Sequence, residues 1–467
     1  DINNQETRFN RNEFGSDRAI ASPVDRLTFA TRASYEVDEK LTLILDGNYG
    51  KVSSLSIYEP HPLIANSNII GVGANINVEN WLTNPADGTT VLVRNPFIPD
   101  LIYNNATDTN NDGLRDIGFS KRMVEFGNRS TDIDRELFRI ALGAEGNLTD
   151  NWSYDLYYTY GRTSLSGRMG GLYIQSNLLN SFTAGTDYFD FDGDGNTSEA
   201  ICVDNTARRQ YGCAPADVFG VGRMSQEAID YVSGAATQES TQTMQVVSGN
   251  ISGSLFELPA GPVQLAAGLE YREEKSAHLF DPLSNKHQNG YVQQNNTVGS
   301  FDVKEAYAEI NIPVLEGRPM FESLSLRGAA RISDYSTVGA FWAYNGGVEW
   351  RPVPDLRIRG VYAHAVRAPN IGELYRAASA GITAIVDPCN GISTSDTSAV
   401  AQNCLADPGV AANAAANGGT VTLIQSDFQG VPQIDTPNPN IREETATTWT
   451  LGAVYSPEAL SGFVFTV

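Results

Sequence analysis

Apolar side chains recur at every second position over stretches of nine or more residues, and the stretches come in pairs joined by tiny polar turns. Leu41, Leu43, Leu45, Gly47 and Tyr49 fall on one face of such a stretch, and Trp152, Tyr154, Leu156, Tyr158 and Tyr160 on one face of another. A period of two is that of a β-strand with two unlike faces. The pattern predicts strand pairs at about 27–35 and 41–52, 134–147 and 151–162, 244–256 and 262–274, 301–313 and 321–333, 338–350 and 355–366, and 444–455 and 461–467. The turns within pairs, such as Val37-Asp38-Glu39-Lys40, Leu148-Thr149-Asp150 and Pro259-Ala260-Gly261, have hairpin chemistry.

Most of these strands match or exceed the roughly nine to eleven residues that a tilted strand needs to cross a bilayer. Strands of soluble proteins centre on about five or six. The connections alternate between tiny turns and long loops at about 53–133, 163–243, 275–300 and 367–443, with Asp334–Thr337 the one short turn on the long-loop side. Short turns at one end and long loops at the other are the asymmetry of an outer-membrane barrel. The expected fold is therefore all-β: a transmembrane antiparallel β-barrel in the bacterial outer membrane, its long loops extracellular. Strand signal still runs at Val467, and a sheet in lipid tolerates no free edge. Residues 1–467 are accordingly expected to be the partial barrel domain of something larger. The long loops, rich in Asn, Asp, Thr, Gly and Ser, are expected to be functional or mobile. Residues 401–420 should hold a short helix or be disordered.

Composition narrows the class. The net charge of −23 over 467 residues argues against a nucleic-acid surface, which needs a basic stripe, and permits cation binding and a wet lumen. Mean hydropathy is −0.25. No run of eighteen apolar residues exists, which excludes a helical membrane protein. A barrel survives that test because only alternate residues face lipid. Four cysteines form two local pairs in loops, Cys202 with Cys213 and Cys389 with Cys404, suggesting two disulfides in an oxidising compartment; four free thiols are the alternative. There is no Cys-x-x-Cys, and His61, His278, His287 and His364 are scattered.

Three stretches resemble the barrel of TonB-dependent outer-membrane receptors: Phe301-Asp302-Val303-Lys304-Glu305-Ala306-Tyr307 onward to Pro313, Gly328–Ser336, and Leu356–Gly360 continuing to Val366-Arg367-Ala368-Pro369-Asn370-Ile371-Gly372-Glu373-Leu374. Tyr271–Lys275 and Glu444–Pro457 carry the same likeness. It is strongest to the large receptors of alphaproteobacteria and their relatives. The resemblance implies a barrel of about 22 strands filled by a plug. It implies TonB-dependent active import of a scarce solute, with the barrel as wall and the outer loops as selector. The implied partners are a TonB-type energy-coupling complex acting through the plug, a small ligand, outer-membrane lipid and lipopolysaccharide, and other outer-membrane proteins. No TonB-binding box and no plug-like segment precede residue 27. No bond is broken in such transport, and no Gly-x-Ser-x-Gly, His-Glu-x-x-His or phosphate loop occurs, so no enzyme is expected. A passive porin and a structural or adhesin barrel are the alternatives.

Two loops have the spacing of a calcium-wrapping turn. Asp190, Asp192 and Asp194, followed by Gly195, and Asp108, Asn110 and Asp112, followed by Gly113 and Asp116, place oxygen ligands at alternate positions before a tight turn. Glu199 stands at position 10 of the first, and no Glu occupies position 12. The competing expectation is an acidic loop that repels itself and stays open. Arg331, Arg357 and Arg359 share the lumen face, opposite Leu356 and Ile358, and are expected to pair with carboxylates such as Glu305 and Glu309. Trp152, Tyr154, Tyr158, Tyr160, Tyr335, Trp342, Trp350 and Tyr362 invite assignment to interfacial girdles. Tyr58, Tyr173 and Tyr188 are loop aromatics open to sugar stacking, Phe97 after Asn95-Pro96 marks a turn, and His61 and His287 are expected to be surface hydrogen-bonders.

Overall fold

The computed structural model describes residues 18–63, 75–423, 429–460 and 462–467. Twelve strands form one antiparallel sheet in which each pairs with its sequence neighbours. They are β1 (Val24–Asp38), β2 (Leu41–Pro60), β3 (Asn128–Thr149), β4 (Trp152–Tyr173), β5 (Ser233–Leu258), β6 (Gly261–Phe280), β7 (Thr297–Arg318), β8 (Phe321–Tyr335), β9 (Gly339–Val353), β10 (Leu356–Arg367), β11 (Glu444–Tyr455) and the short β12 (Phe465–Thr466). No helix among the described residues is long and apolar enough to cross a membrane.

The expected strands are present except the last, 461–467, of which only Phe465–Thr466 forms strand and residue 461 lies outside the described residues, and several run further toward the long-loop end. β3 starts at Asn128, β4 continues to Tyr173 and β5 starts at Ser233. The ladder persists there while the outer face turns polar, with Asp132, Asp134 and Glu136 on β3 and Ser164, Ser166 and Arg168 on β4. Backbone pairing needs no hydropathy contrast, so the alternation fades before the strand ends.

The sheet is apolar on the outside. Leu45 pairs with Leu142, and Tyr158 pairs with Leu142 on one side and Val247 on the other, all outward. Leu142, Leu156 and Leu269 are about half exposed or more, as expected of side chains that meet hydrocarbon rather than water. Trp342 and Trp350 stand eight residues apart on the outer face of β9, about 26 Å along the strand and roughly 20 Å in height at a tilt of about 40°, a little less than an apolar band roughly 25 Å tall. Tyr362 packs against Trp449 at 4.6 Å on the same face. Tyr335 does not belong to a girdle: it is opposite Val303 on the inner face, where its hydroxyl accepts from Arg272 Nη2 at 3.1 Å.

The inner face is a polar ladder. Arg331 Nε donates to Glu305 at 3.0 Å, Ser333 also donates to Glu305, and Arg331 lies over the Tyr307 ring at 4.8 Å. Tyr307 reaches Asn250, which donates to Asp155 at 2.8 Å. Arg331 thus pairs with Glu305 and, at 3.7 Å, Glu270, while Arg357 pairs with Glu349 at 3.6 Å. Neither uses Glu309, because register sets Glu309 opposite Ala329 rather than Arg331.

The long loops are folded. Residues of the first and second loops share one apolar core, with Leu63, Val78, Ile98, Met123, Leu178 and Val232 all nearly inaccessible. We call this joint unit the cap. The fourth loop builds a separate module in which helices Ala399–Leu405 and Pro408–Ala416 pack around Ala401, Cys404 and Ala414. Cys202–Cys213 and Cys389–Cys404 are disulfide-bonded, one in each unit.

Candidate functional site: the inner groove and its loops

A groove of about 900 Å³ lies against the inner face in its long-loop half. Alternation places Leu137, Thr163, Met244, Ser276 and Phe301 on its floor, and residues 366–372 form one wall. That wall is the Arg-Ala-Pro-Asn-Ile element. Pro369 cannot continue a ladder, so the chain leaves β10 and turns into a helix, Ile371–Tyr375. Asn370 accepts from the Glu373 amide and Glu373 reaches back to the Asn370 amide, a reciprocal cap. Arg367 fastens the turn: its guanidinium holds Glu373 at 2.9 Å and Glu444, its register partner on β11, at 2.6 Å.

The helix then packs back onto β7, three strands away, at a glycine. A Cβ on Gly299 would lie 2.4 Å from Tyr375 Cδ2 and 2.8 Å from Ile371 Cγ2. Ala377 N donates to Thr297 Oγ1 at 3.3 Å, closing the contact. The segment therefore bridges β10 to β7 across the inner face and narrows the groove mouth.

The cap is pinned at its root. Glu59, 6 % exposed, is gripped by Arg18 at 2.5 Å, Arg129 at 2.9 Å and Arg122 at 3.8 Å. Hydrogen bonding to Arg18, and then the charge of Arg129, hold its carboxyl down to about 2 against the opposing effect of burial. His61 is no surface residue. It is 2 % exposed, its Nε2 donates to the Gly290 carbonyl at 2.7 Å, and its ring meets Tyr173 edge-on at 5.1 Å. Burial pushes its pKa down to about 4. Tyr173 is likewise fully buried and unavailable for stacking, whereas Tyr58 and Tyr188 are exposed. Phe97 does sit in a turn, its amide donating to Asn95 Oδ1 at 3.1 Å.

The two acidic loops diverge. In the second, Asp190, Asp192 and Asp194 bring carboxylate oxygens within 4.8 Å of one another, and Asp192 makes a further such group with Asp187 and Glu199. Burial and then the charges of Asp192, Asp194, Asp187 and Asp190 raise the Glu199 pKa. Gly195 has φ +85°, the left-handed turn that the motif requires, and its amide donates to Asp190. The acids of both loops accept backbone amides, Asp187 from Phe191 at 2.9 Å and Asp192 from Asp194 at 3.2 Å in the second, but among the described residues no three carboxylates converge in the first. Asp108 accepts from the Gly113 amide at 2.9 Å, Asn110 donates to Asp112 at 3.0 Å, and Asp116 is buried against the amide and hydroxyl of Thr109. Asp187 lay outside the motif; its position three residues before Asp190 was the available signal.

A family model described as TonB dependent receptor-like, beta-barrel matches residues 73–467, and the chain belongs to that family. Its members are transporters, not enzymes. The twelve strands are thus strands of an outer-membrane β-barrel. Among solved structures, the chain is similar to a mutant of the ferric enterobactin receptor PfeA from Pseudomonas aeruginosa at 14 % identity and TM-score 0.44, covering 95 % of this chain and 42 % of that one. It is similar to the RagAB peptide transporter at 9 % and 0.41, covering 93 % and 39 %. For the siderophore receptor PirA from Acinetobacter baumannii the values are 12 % and 0.37, covering 93 % and 48 %. The chain spans less than half the length of these receptors. No curated protein sequence matches it.

Proposed function

We propose that this chain forms the wall and the ligand-selecting loops of a TonB-dependent importer, which carries a scarce solute across the outer membrane when a plug and the energy-coupling complex complete it. The observation that carries this reading is the match of residues 73–467 to the receptor barrel family. The groove supports it: a space of mixed apolar and polar lining on the inner face, narrowed by residues 366–372, suits a solute that must be held before it is moved. The cap and the fourth-loop module face solvent at the same end and are the selectors. In this reading the long loops are extracellular, and the strands that complete the ring lie outside residues 1–467. Uptake of radiolabelled candidate solutes by cells carrying the whole receptor, with and without the proton gradient, tests it. Uptake that persists unchanged without the gradient would count for a passive porin.

A Ca²⁺ ion in the second loop completes the proposal. Asp187, Asp190, Asp192, Asp194 and Glu199 offer a hard-oxygen set, and a divalent ion would offset their mutual repulsion. Asp108, Asn110, Asp112 and Asp116 are the weaker candidate, since among the described residues their carboxylates do not converge into one group.

A further inference from the structure

The charges that line the inner groove are spent on one another, with one exception. Arg139, Arg162, Glu274, Lys275, Arg367 and Arg376 border it. Alternation turns Arg162 and Lys275 to the outer wall, each being a register partner of the outward Thr243. Three of the remaining four are paired. Arg139 meets Asp46 at 2.9 Å, Glu274 meets Arg272 at 3.2 Å, and Arg367 is shared by Glu373 and Glu444. Arg376 has no ion pair among the described residues.

Arg376 directly follows the helix Ile371–Tyr375. Its amide donates to the Gly372 carbonyl at 3.1 Å, and a Cβ on Gly372 would lie 3.7 Å from Arg376 Nη2. The guanidinium thus folds back along the helix to Gly372, and both residues line the groove. The helix is seated on Gly299, and Ala377 holds Thr297 at 3.3 Å on the far side of Arg376. The cation is therefore anchored from both sides at the β7 end of the groove.

The floor leading away from that cation carries no unpaired charge. Leu137, Thr163, Gln242 and Ser276 are successive register partners from β3 to β6, and Ser276 is opposite Gly299 on β7, beneath the helix. Four strand spacings of about 4.8 Å make this row about 19 Å long. One inward step nearer the short turns stand Met244 on β5 and Phe301 on β7, with Phe301 packed on Tyr335 at 5.5 Å. The floor thus interleaves apolar side chains with hydroxyl and amide groups.

This arrangement selects by charge. A polyanion brings more negative charge than one guanidinium can meet, and the chain around it is strongly acidic, at −23. A neutral solute leaves the one unspent cation unused. A single carboxylate matches it, because a guanidinium presents two parallel N–H donors to the two oxygens of one carboxylate.

We propose that the solute held in this groove is a monocarboxylate. Its one acid group pairs with Arg376, and its body is neutral, with apolar surface for Leu137, Met244 and Phe301 and hydroxyl or amide groups for Thr163, Gln242 and Ser276. Arg376 is then the residue that sets the charge of the cargo. The inference rests on the import reading, since it names the cargo class of the same groove.

The test titrates the whole receptor, purified in a non-ionic detergent, with phenyl β-D-glucuronide and with phenyl β-D-glucoside, which carries a hydroxymethyl group in place of the carboxylate. Wild type should bind the glucuronide roughly fivefold more tightly, the gain expected of a charge-assisted pair on an exposed guanidinium. Arg376→Gln should bind both alike, at the wild-type affinity for the glucoside. Equal affinities in wild type, or binding of neither, overturn the proposal even if the variant does not fold. So does a variant that keeps the preference. Citrate, which has more carboxylates and no apolar surface, overturns it by binding more tightly than the glucuronide. Binding needs no energy coupling, so a missing preference leaves the import reading standing, whereas uptake that ignores the proton gradient removes the import reading whatever the titration gives.

Discussion

His61 donates a hydrogen bond from Nε2 to the carbonyl of Gly290, 2.7 Å away, joining the first long loop to the third across 229 positions of sequence. Gly290 has φ +72°, and a Cβ there would lie 2.5 Å from Tyr173 Cε1, so the contact depends on a glycine that both turns the chain and admits the ring. The imidazole is buried, and burial favours its neutral form.

Acid should loosen this pin. The folded pKa of about 4 lies below the ordinary 6.5, so the unfolded segment binds the proton more readily. The contribution is fully present above about 6.5, falls as pH drops through that window, and is gone below about 4. Its size is on the order of 3 kcal/mol for local opening of the cap root. Hydrogen exchange of residues 75–127 measured between pH 7 and 4 should show that acceleration, and His61→Phe should remove most of its pH dependence.

Gly299→Val should displace the helix Ile371–Tyr375. The added side chain meets Tyr375 and Ile371 well inside contact distance, and small-to-large changes of this kind cost about 1–3 kcal/mol. The expected outcome is faster protease cleavage within 368–378 and weaker solute binding, with the barrel strands unchanged in circular dichroism. Cleavage at the wild-type rate would show that the helix does not depend on that approach.

Arg367→Lys should weaken the same wall more mildly. One ammonium cannot present the planar fork that holds Glu373 and Glu444 together. Because the group is solvent-exposed, global stability should stay within error while amide exchange in 370–376 rises severalfold. Exchange confined to other segments would argue against the clamp.

Asp192→Asn tests the calcium proposal at its shared ligand, since Asp192 belongs to both carboxylate groups. Wild type should resist proteolysis around residues 187–199 in millimolar Ca²⁺ and lose that resistance on chelation, and the variant should be cleaved alike in both. Wild-type cleavage that ignores chelation would remove the ion from the account.

Alternation was sufficient to locate the strands because every second residue answers to hydrocarbon, and that demand is written locally as in Leu41, Leu43 and Leu45. It was silent about the upper thirds of β3, β4 and β5, where the outer face turns polar and backbone pairing continues without the alternation. The Arg-Ala-Pro-Asn-Ile element was legible as a family mark, but its route to Gly299 was not, since nothing near Gly299 in sequence announces a helix from the fourth loop. The Asp190–Asp194 motif was legible, and its convergence with Asp187 and Glu199 was not.

By itself, then, the chain's order of residues determined the class of fold, the strand positions, the inner and outer faces and the local cysteine pairs, because each depends on near neighbours and a fixed period. Tertiary structure decided which loops fuse into the cap, that His61 and Tyr173 are buried within it, that Tyr335 faces inward with Arg272, and that Arg331 chooses Glu305 over Glu309. Those outcomes depend on register and on contacts between distant segments, where a shift of one residue reverses a face and no local pattern records the partner.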